Sequence, residues 1–420
     1  MVKTILIRNG LIITQDDSRR IIKGDLLIEG KRISAIGKIS ESADIVIDAA
    51  GSAVLPGFIN THAHVAMAHL KGLLDDISLE TFLERTFSLD SNRTEKGIYN
   101  SALLGMAEMI DSGITSFHDL YYSEDIIAKA ASKFGIRAFL AWVTLDGEFT
   151  TQKGSPLKNA ESFIRKKHGD LVTPSVGIQG IYVASDETYS GASEIARKYD
   201  TTIHTHLSET RKEVYDFASG HNGQRPVEHL SSIGFLDNRL IAAHSSFVTM
   251  REVRQLAKAG VKVSWNSISN CKLGTGGMPP VPEMLDHGIT ISLGTDSNGS
   301  NNSLNMFEMM KFSSLLVKSA RWNPAVINAQ KILDMATRDA ASSLHRNDIG
   351  VLREGNLADV IIIDLTQSNL IPASADNIVQ GIVYSANPSN VDTVIVNGSI
   401  LKRRKRLRRK IPEIQKENMI

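Results

Sequence analysis

The chain has 420 residues, 42% of them apolar, and a formal net charge of +1 at neutral pH. A balance so near zero gives no electrostatic ground for a nucleic-acid partner, and a single cysteine, Cys271, excludes an internal disulfide and any Cys-x-x-Cys metal site. No stretch approaches the roughly 20 apolar residues of a membrane-spanning helix, and residues 1–8 lack the apolar core of a secretory leader, so a soluble, cytoplasmic protein is expected.

Residues 4–7, 11–14, 25–29, 32–36 and 44–48 are β-rich, with turn residues at Asn9-Gly10 and Glu29-Gly30. The same texture returns at 359–364 and 392–398. Neither terminal part buries much apolar surface alone. Residues 1–55 and 350–420 are therefore expected to pair into one small β-sandwich domain. Residues 56–349 alternate apolar runs with amphipathic stretches. Strands are predicted to end at His64 and to cover 113–120, 135–142, 174–181, 201–207, 240–246, 261–266 and 289–296. Helices are predicted at 95–111, 124–133, 186–198, 250–259 and 303–319. Eight such units specify an α/β fold, a (β/α)8 TIM-type barrel, whose active site forms at the carboxyl ends of its strands.

Polar residues gather at those ends. His62 and His64 lie two apart on one strand, so their side chains point the same way. Residues 201–207 end in His204-Thr205-His206, with Glu209 three positions on; the next strand ends in Ala243-His244 and the eighth in Gly294-Thr295-Asp296. Three imidazoles and a carboxylate suit Zn²⁺ or Fe²⁺ with a position left for water. Such an ion lowers the pKa of its water to about 7. Buried charges without partners are costly, so a converging set favours a metal over chance. His204 reads as a core histidine. His118 reads as structural, with Asp119 beside it a candidate to hold a neighbouring histidine.

Segments 56–64, 206–210, 243–244, 269–273 and 293–297 resemble the amidohydrolase superfamily. Within it the likeness is to the branch of methylthioadenosine/S-adenosylhomocysteine deaminases and triazine chlorohydrolases, with guanine deaminases alongside, and it runs nearly end to end. The resemblance implies His62, His64, His206 and Asp296 as ligands of one divalent metal, zinc or iron. It implies Glu209 as the proton shuttle to a ring nitrogen and His244 as the hydrogen-bond partner of the water and the tetrahedral adduct. Asp296 would also pass the water proton to the leaving group. Binuclear relatives carry a carboxylated lysine on the fourth strand; residues 171–180 contain none, so one metal is expected.

The resemblance further implies that residues 75–93 cover the pocket. Asp90 falls nearest the acidic residue that grips ribose hydroxyls, and Phe82 stands where a base could stack. Trp142 occupies the place where homocysteine-accepting relatives carry arginine. Gly180-Ile181-Tyr182-Val183 replaces a Gly-Pro-His-Ser-like pattern, and Trp265 replaces a histidine.

The expected activity is hydrolytic deamination of an aminated N-heteroaromatic ring. The substrate expected is a small molecule, an adenine nucleoside of the 5′-methylthioadenosine, 5′-deoxyadenosine or S-adenosylhomocysteine type. A chlorohydrolase or other ring hydrolase (triazine, guanine or cytosine type) is the alternative. An inactive scaffold is the third reading, and the retention of every ligand argues against it. A homo-oligomer, dimer or tetramer, is expected. Eight of the nine residues 402–410 are basic, but no aromatics interleave them for base stacking. The run reads as a solvated terminal strand, or as a tail that neutralises an acidic surface or a neighbouring subunit.

Overall fold

The chain is described over residues 3–91 and 93–408 by a computed structural model. Eight parallel strands pair in sequence order: Phe58–Ala63, Ile114–Tyr121, Arg137–Thr144, Val172–Ile178, Ile203–Leu207, Leu240–His244, Lys262–Trp265 and Ile291–Leu293. The first and last meet where the Asp296 N–H donates to the His62 carbonyl at 2.9 Å. All eight predicted strands form, and so do the predicted helices, as Glu95–Asp111, Glu124–Phe134, Asp186–Tyr199, Met250–Ala259 and Met306–Ala320. Several helices carry side-chain caps, such as Thr94 on Glu95–Asp111 and the capping box of Thr249 with Glu252.

Strand alternation sorts the side chains. On Arg137–Thr144, Phe139, Ala141 and Val143 turn into the barrel, while Ala138 and Leu140 join the core beneath the helices. The floor of the barrel is closed by Ile59, Phe139 and Ile241 packed on Ala340, Ala341 and Leu344 of the segment around Arg338–Ser343. Above that floor the interior is polar and small: the Thr61 hydroxyl lies 2.7 Å from Ser264 Oγ and 2.9 Å from Ser292 Oγ.

The two ends of the chain build a second sheet of nine strands. Thr4–Ile13, Ile21–Glu29, Arg32–Gly37, Ile45–Asp48 and Ser52–Pro56 come from the N-terminal side. Val360–Asp364, Val391–Val396, Ser399–Arg403 and Arg406–Leu407 come from the C-terminal side. The halves join where Val360–Asp364 pairs antiparallel with Ser52–Pro56. The sheet holds its own core, in which Ile5, Ile7 and Ile12 meet Ile362 and Ile395.

Asn9-Gly10 does not make the expected turn. Asn9 takes φ 62° and forms a bulge inside one long strand. Its N–H is held by Asp25 Oδ1 at 2.9 Å and its side-chain amide by Asp48 Oδ1 at 3.0 Å, so the left-handed residue is used without reversing the chain.

The sheet is fastened to the barrel by buried charge. Arg137, at the start of the third barrel strand, donates from Nε and Nη2 to Asp359 at 2.7 and 3.1 Å, and both side chains are almost wholly inaccessible. The basic run is not simply a solvated strand. Lys402 is 3% exposed and its Nζ lies 2.9 Å from the Asp111 carbonyl, where a cation suits the end of helix Glu95–Asp111. Lys405 pairs with Asp364 at 2.9 Å. Arg409 and Lys410 lie outside the described residues.

Candidate metal centre

The strand ends bring the predicted residues together. His62 lies at the end of the first barrel strand and His64 just beyond it, His206 lies on the fifth, His244 ends the sixth, and Asp296 follows the eighth. The loop after the fifth strand carries Glu209. His64 Nε2 lies 3.3 Å from His206 Nε2 and 3.4 Å from Asp296 Oδ1. His62 Nε2 lies 3.8 Å from the same carboxylate oxygen. One donor atom each from His62, His64 and His206 fall within 4.8 Å of one another, as do those of His62, His244 and Asp296.

Each of the first three rings is anchored through Nδ1. His64 Nδ1 donates to the Leu120 carbonyl and His206 Nδ1 to the Gln179 carbonyl, both at 2.6 Å. A carbonyl only accepts, so Nδ1 carries the proton and Nε2 keeps its lone pair. His62 Nδ1 lies 2.6 Å from His204 Nε2, which leaves its own Nε2 buried with no hydrogen-bond partner. Fixing one ring nitrogen to orient the other is the usual support for a ligating histidine.

Electrostatics agree with that use. Burial, and then the neighbouring imidazoles, hold His62 well below the ordinary histidine range, and burial brings His206 down to about 3. Neutral imidazoles bind a cation without first losing a proton. Burial pushes the Asp296 carboxyl up, but His64, His244 and the Ser269 hydroxyl outweigh it and hold the group below its usual range. Its Oδ2 accepts from Ser269 Oγ at 2.6 Å and its Oδ1 from the Ser297 N–H at 2.7 Å. An orphaned buried imidazole nitrogen, beside two more lone pairs and an ionised carboxylate, fits a divalent cation.

The backbone holds this set under strain. His244 and Asp296 adopt φ 70° and 65°, as non-glycine residues seldom do. Gly294 allows the eighth strand to approach: a Cβ there would sit 2.7 Å from His62 Cβ and 2.3 Å from Asn266 Oδ1.

Beside the donors stand His244 and Glu209. Asn270 Nδ2 donates to His244 Nδ1 at 3.0 Å, so that ring presents a protonated Nε2, 3.7 Å from Glu209 Oε1 and 4.0 Å from Asp296 Oδ2. Burial, then the Asp296 charge, push Glu209 up to about 8, so it keeps a proton near neutral pH. The Glu209 N–H is held by Glu213 Oε2 at 2.8 Å, and the Ser208 N–H by Glu213 Oε1 at 2.9 Å, fixing the loop.

A cavity of about 910 Å³ opens over these groups. Phe82 and Asp90 lie in its wall. Phe82 also packs on Leu70 and Leu74, so it serves the core and the cavity together. Asp90 Oδ1 already accepts from the Tyr121 hydroxyl and from Arg93 at 3.3 Å. Trp142 does not reach the cavity. Strand alternation turns it outward against Phe163, and its indole N–H holds Gln152, which does line the wall. Trp265 is likewise buried in the outer core.

One expectation about a neighbouring residue also changes. Asp119 holds no histidine; its Oδ1 accepts the Val65 N–H at 2.7 Å. His204 is a buried core histidine, as expected, and it also fixes the His62 ring. The His204-x-His206 spacing carried that signal, with both rings on one face and the first a layer deeper. His204→Ala is expected to weaken metal binding by about 10- to 100-fold. Competition with a chromogenic chelator would measure it, and an unchanged affinity would return His204 to a packing role. Ser269 and Asn270, which orient Asp296 and His244, stand on the short helix Ser267–Lys272, where sequence alone gave them no task.

Fold and site together define a metal-dependent hydrolase built on a (β/α)8 barrel. More narrowly, the chain belongs to the amidohydrolase family, whose model matches residues 53–401. A Thermococcus sibiricus protein named 5-methylthioadenosine/S-adenosylhomocysteine deaminase is 40% identical over 95% of this chain and 94% of its own length. A Methanobrevibacter smithii protein named 5′-deoxyadenosine deaminase is 38% identical over 96% and 94%. The zinc complex of atrazine chlorohydrolase from Arthrobacter aurescens superposes with a TM-score of 0.89 at 26% identity, over 97% of each chain.

Proposed function

We propose that this protein is a hydrolytic deaminase of adenine nucleosides that works with one divalent ion, zinc in preference to iron. The observation that carries the reading is the set of His62, His64, His206 and Asp296 gathered beside a largely buried Glu209 at one cavity. Those four would hold the ion. When bound, it would supply Lewis acidity and so nucleophilic water near neutral pH. Relatives that match along nearly the whole chain bear deaminase names, which favours ammonia over chloride as the leaving group. Retention of every donor speaks against an inactive scaffold.

The chain's own residues do the rest. Attack on an aromatic carbon is easier once a ring nitrogen is protonated, and Glu209 holds the proton to give. Water oxygen then bonds to the amino-bearing carbon, and His244 Nε2–H donates to the developing negative charge. Asp296 takes the water proton and passes it to the departing amine. The C–N bond breaks and ammonia leaves. Asp90 would meet ribose hydroxyls with the oxygen that Tyr121 and Arg93 leave free, and Phe82 would lie against the base.

Glu209→Gln tests this assignment. It keeps the size of the side chain and removes the acid, so kcat should fall by roughly 10²-fold or more. Metal content by mass spectrometry should stay unchanged. Loss of the ion would make Glu209 a ligand instead.

A further inference from the structure

From the outer part of the cavity we infer that the enzyme selects nucleosides whose 5′ substituent is neutral and apolar, and discriminates against one that ends in an amino-acid carboxylate. The inference rests on the deaminase reading above. If the amino-bearing ring sits at the metal donors, the 5′ end must point away from them, toward the mouth. There the wall is formed by Leu83, Phe87, Phe149 and Tyr182, all lining the cavity and all large side chains left exposed to solvent. A methyl or methylthio group entering that ring would cover apolar surface at no electrostatic cost.

A carboxylate would find no unpaired cation among the described residues that line the cavity. No arginine is among the described residues that line the cavity, and Lys212 is the one lysine. Lys212 is already committed: it pairs with Asp216 four residues on, and Glu80 adds a second negative charge nearby. With Glu80 and Asp216 both lining the cavity, the mouth carries net negative charge. Arg93 is inaccessible to solvent, and its Nη1 and Nη2 are spent on the carbonyls of Ala66 and Gly97, on Asp90 and on the Tyr121 hydroxyl. The amino-acid end is a zwitterion whose ammonium these acids can meet, but its carboxylate is brought against like charge with no free cation, and such a mismatch is a standard way to exclude a competitor.

The test compares steady-state ammonia release from 5′-methylthioadenosine, 5′-deoxyadenosine and S-adenosylhomocysteine by the metal-loaded full chain. The first two are expected to exceed the third in kcat/KM by about tenfold or more. Two variants probe the cause. Asp216→Asn frees Lys212, and Thr151→Arg adds a cation to the exposed wall; each should raise the ratio of kcat/KM for S-adenosylhomocysteine over 5′-methylthioadenosine several-fold. Equal or better turnover of S-adenosylhomocysteine by the unmodified enzyme overturns the inference while leaving the deaminase reading intact. A ratio that neither variant moves overturns its electrostatic basis. Ammonia from none of the three nucleosides would overturn the deaminase reading itself, and the inference with it.

Discussion

Replacement of His206 by alanine is expected to abolish metal binding and with it almost all activity. The ring is held rigidly by the Gln179 carbonyl and offers Nε2 3.3 Å from that of His64. Without it, two imidazoles and one carboxylate remain of a set of four. An ion of this kind brings the pKa of its water from about 15.7 to about 7, so kcat/KM should drop by about 10³-fold or more. Elemental analysis should find well under one equivalent of metal, and circular dichroism should find the barrel intact. A folded variant that retained stoichiometric metal and the parental rate would remove His206 from the donor set.

The second large effect concerns stability. Arg137→Ala leaves the Asp359 carboxyl buried and without its cation, which typically costs about 3–5 kcal/mol. The loss would appear as a lower denaturant midpoint. Because this pair ties the terminal sheet to the third barrel strand, the sheet's signal should melt earlier. The double variant R137M/D359L should recover much of the deficit, since apolar side chains of similar volume often replace a buried ion pair at little cost. It should still fall short by about 1–3 kcal/mol, because Asp359 Oδ1 also accepts the Asn397 N–H at 2.7 Å and that donor would lose its partner. A single variant as stable as the parent would mean that water reaches the pair.

Much of this architecture was readable in the chain because barrel strands and helices announce themselves locally. A buried parallel strand is a short apolar run, and an amphipathic helix repeats at its own period. The convergence of the proposed metal donors was readable for a related reason: the fold gathers strand ends, so polar residues at those ends converge whatever their separation in sequence. What escaped was orientation and partnership. Trp142 sits one residue from Val143, and that single step turns it from the cavity to the outer core. Asn9-Gly10 has the composition of a hairpin turn, yet a side-chain carboxylate from a neighbouring strand stabilises the bulge instead. Ser269 and Asn270 act on residues of other strand ends, and no local spacing reports such pairs. Lys402 belongs to a conspicuously basic run, but its burial depends on a helix end nearly 300 positions earlier in the chain.

The most direct test of the account is ammonia release from 5′-methylthioadenosine by the full chain, measured before and after metal is stripped by a chelator and again after zinc is returned. The account predicts turnover by the metal-loaded protein, loss on stripping and recovery with about one equivalent of zinc. Turnover that persists undiminished in fully stripped protein, or metal-loaded protein that releases no ammonia from this or any other adenine nucleoside, would contradict it.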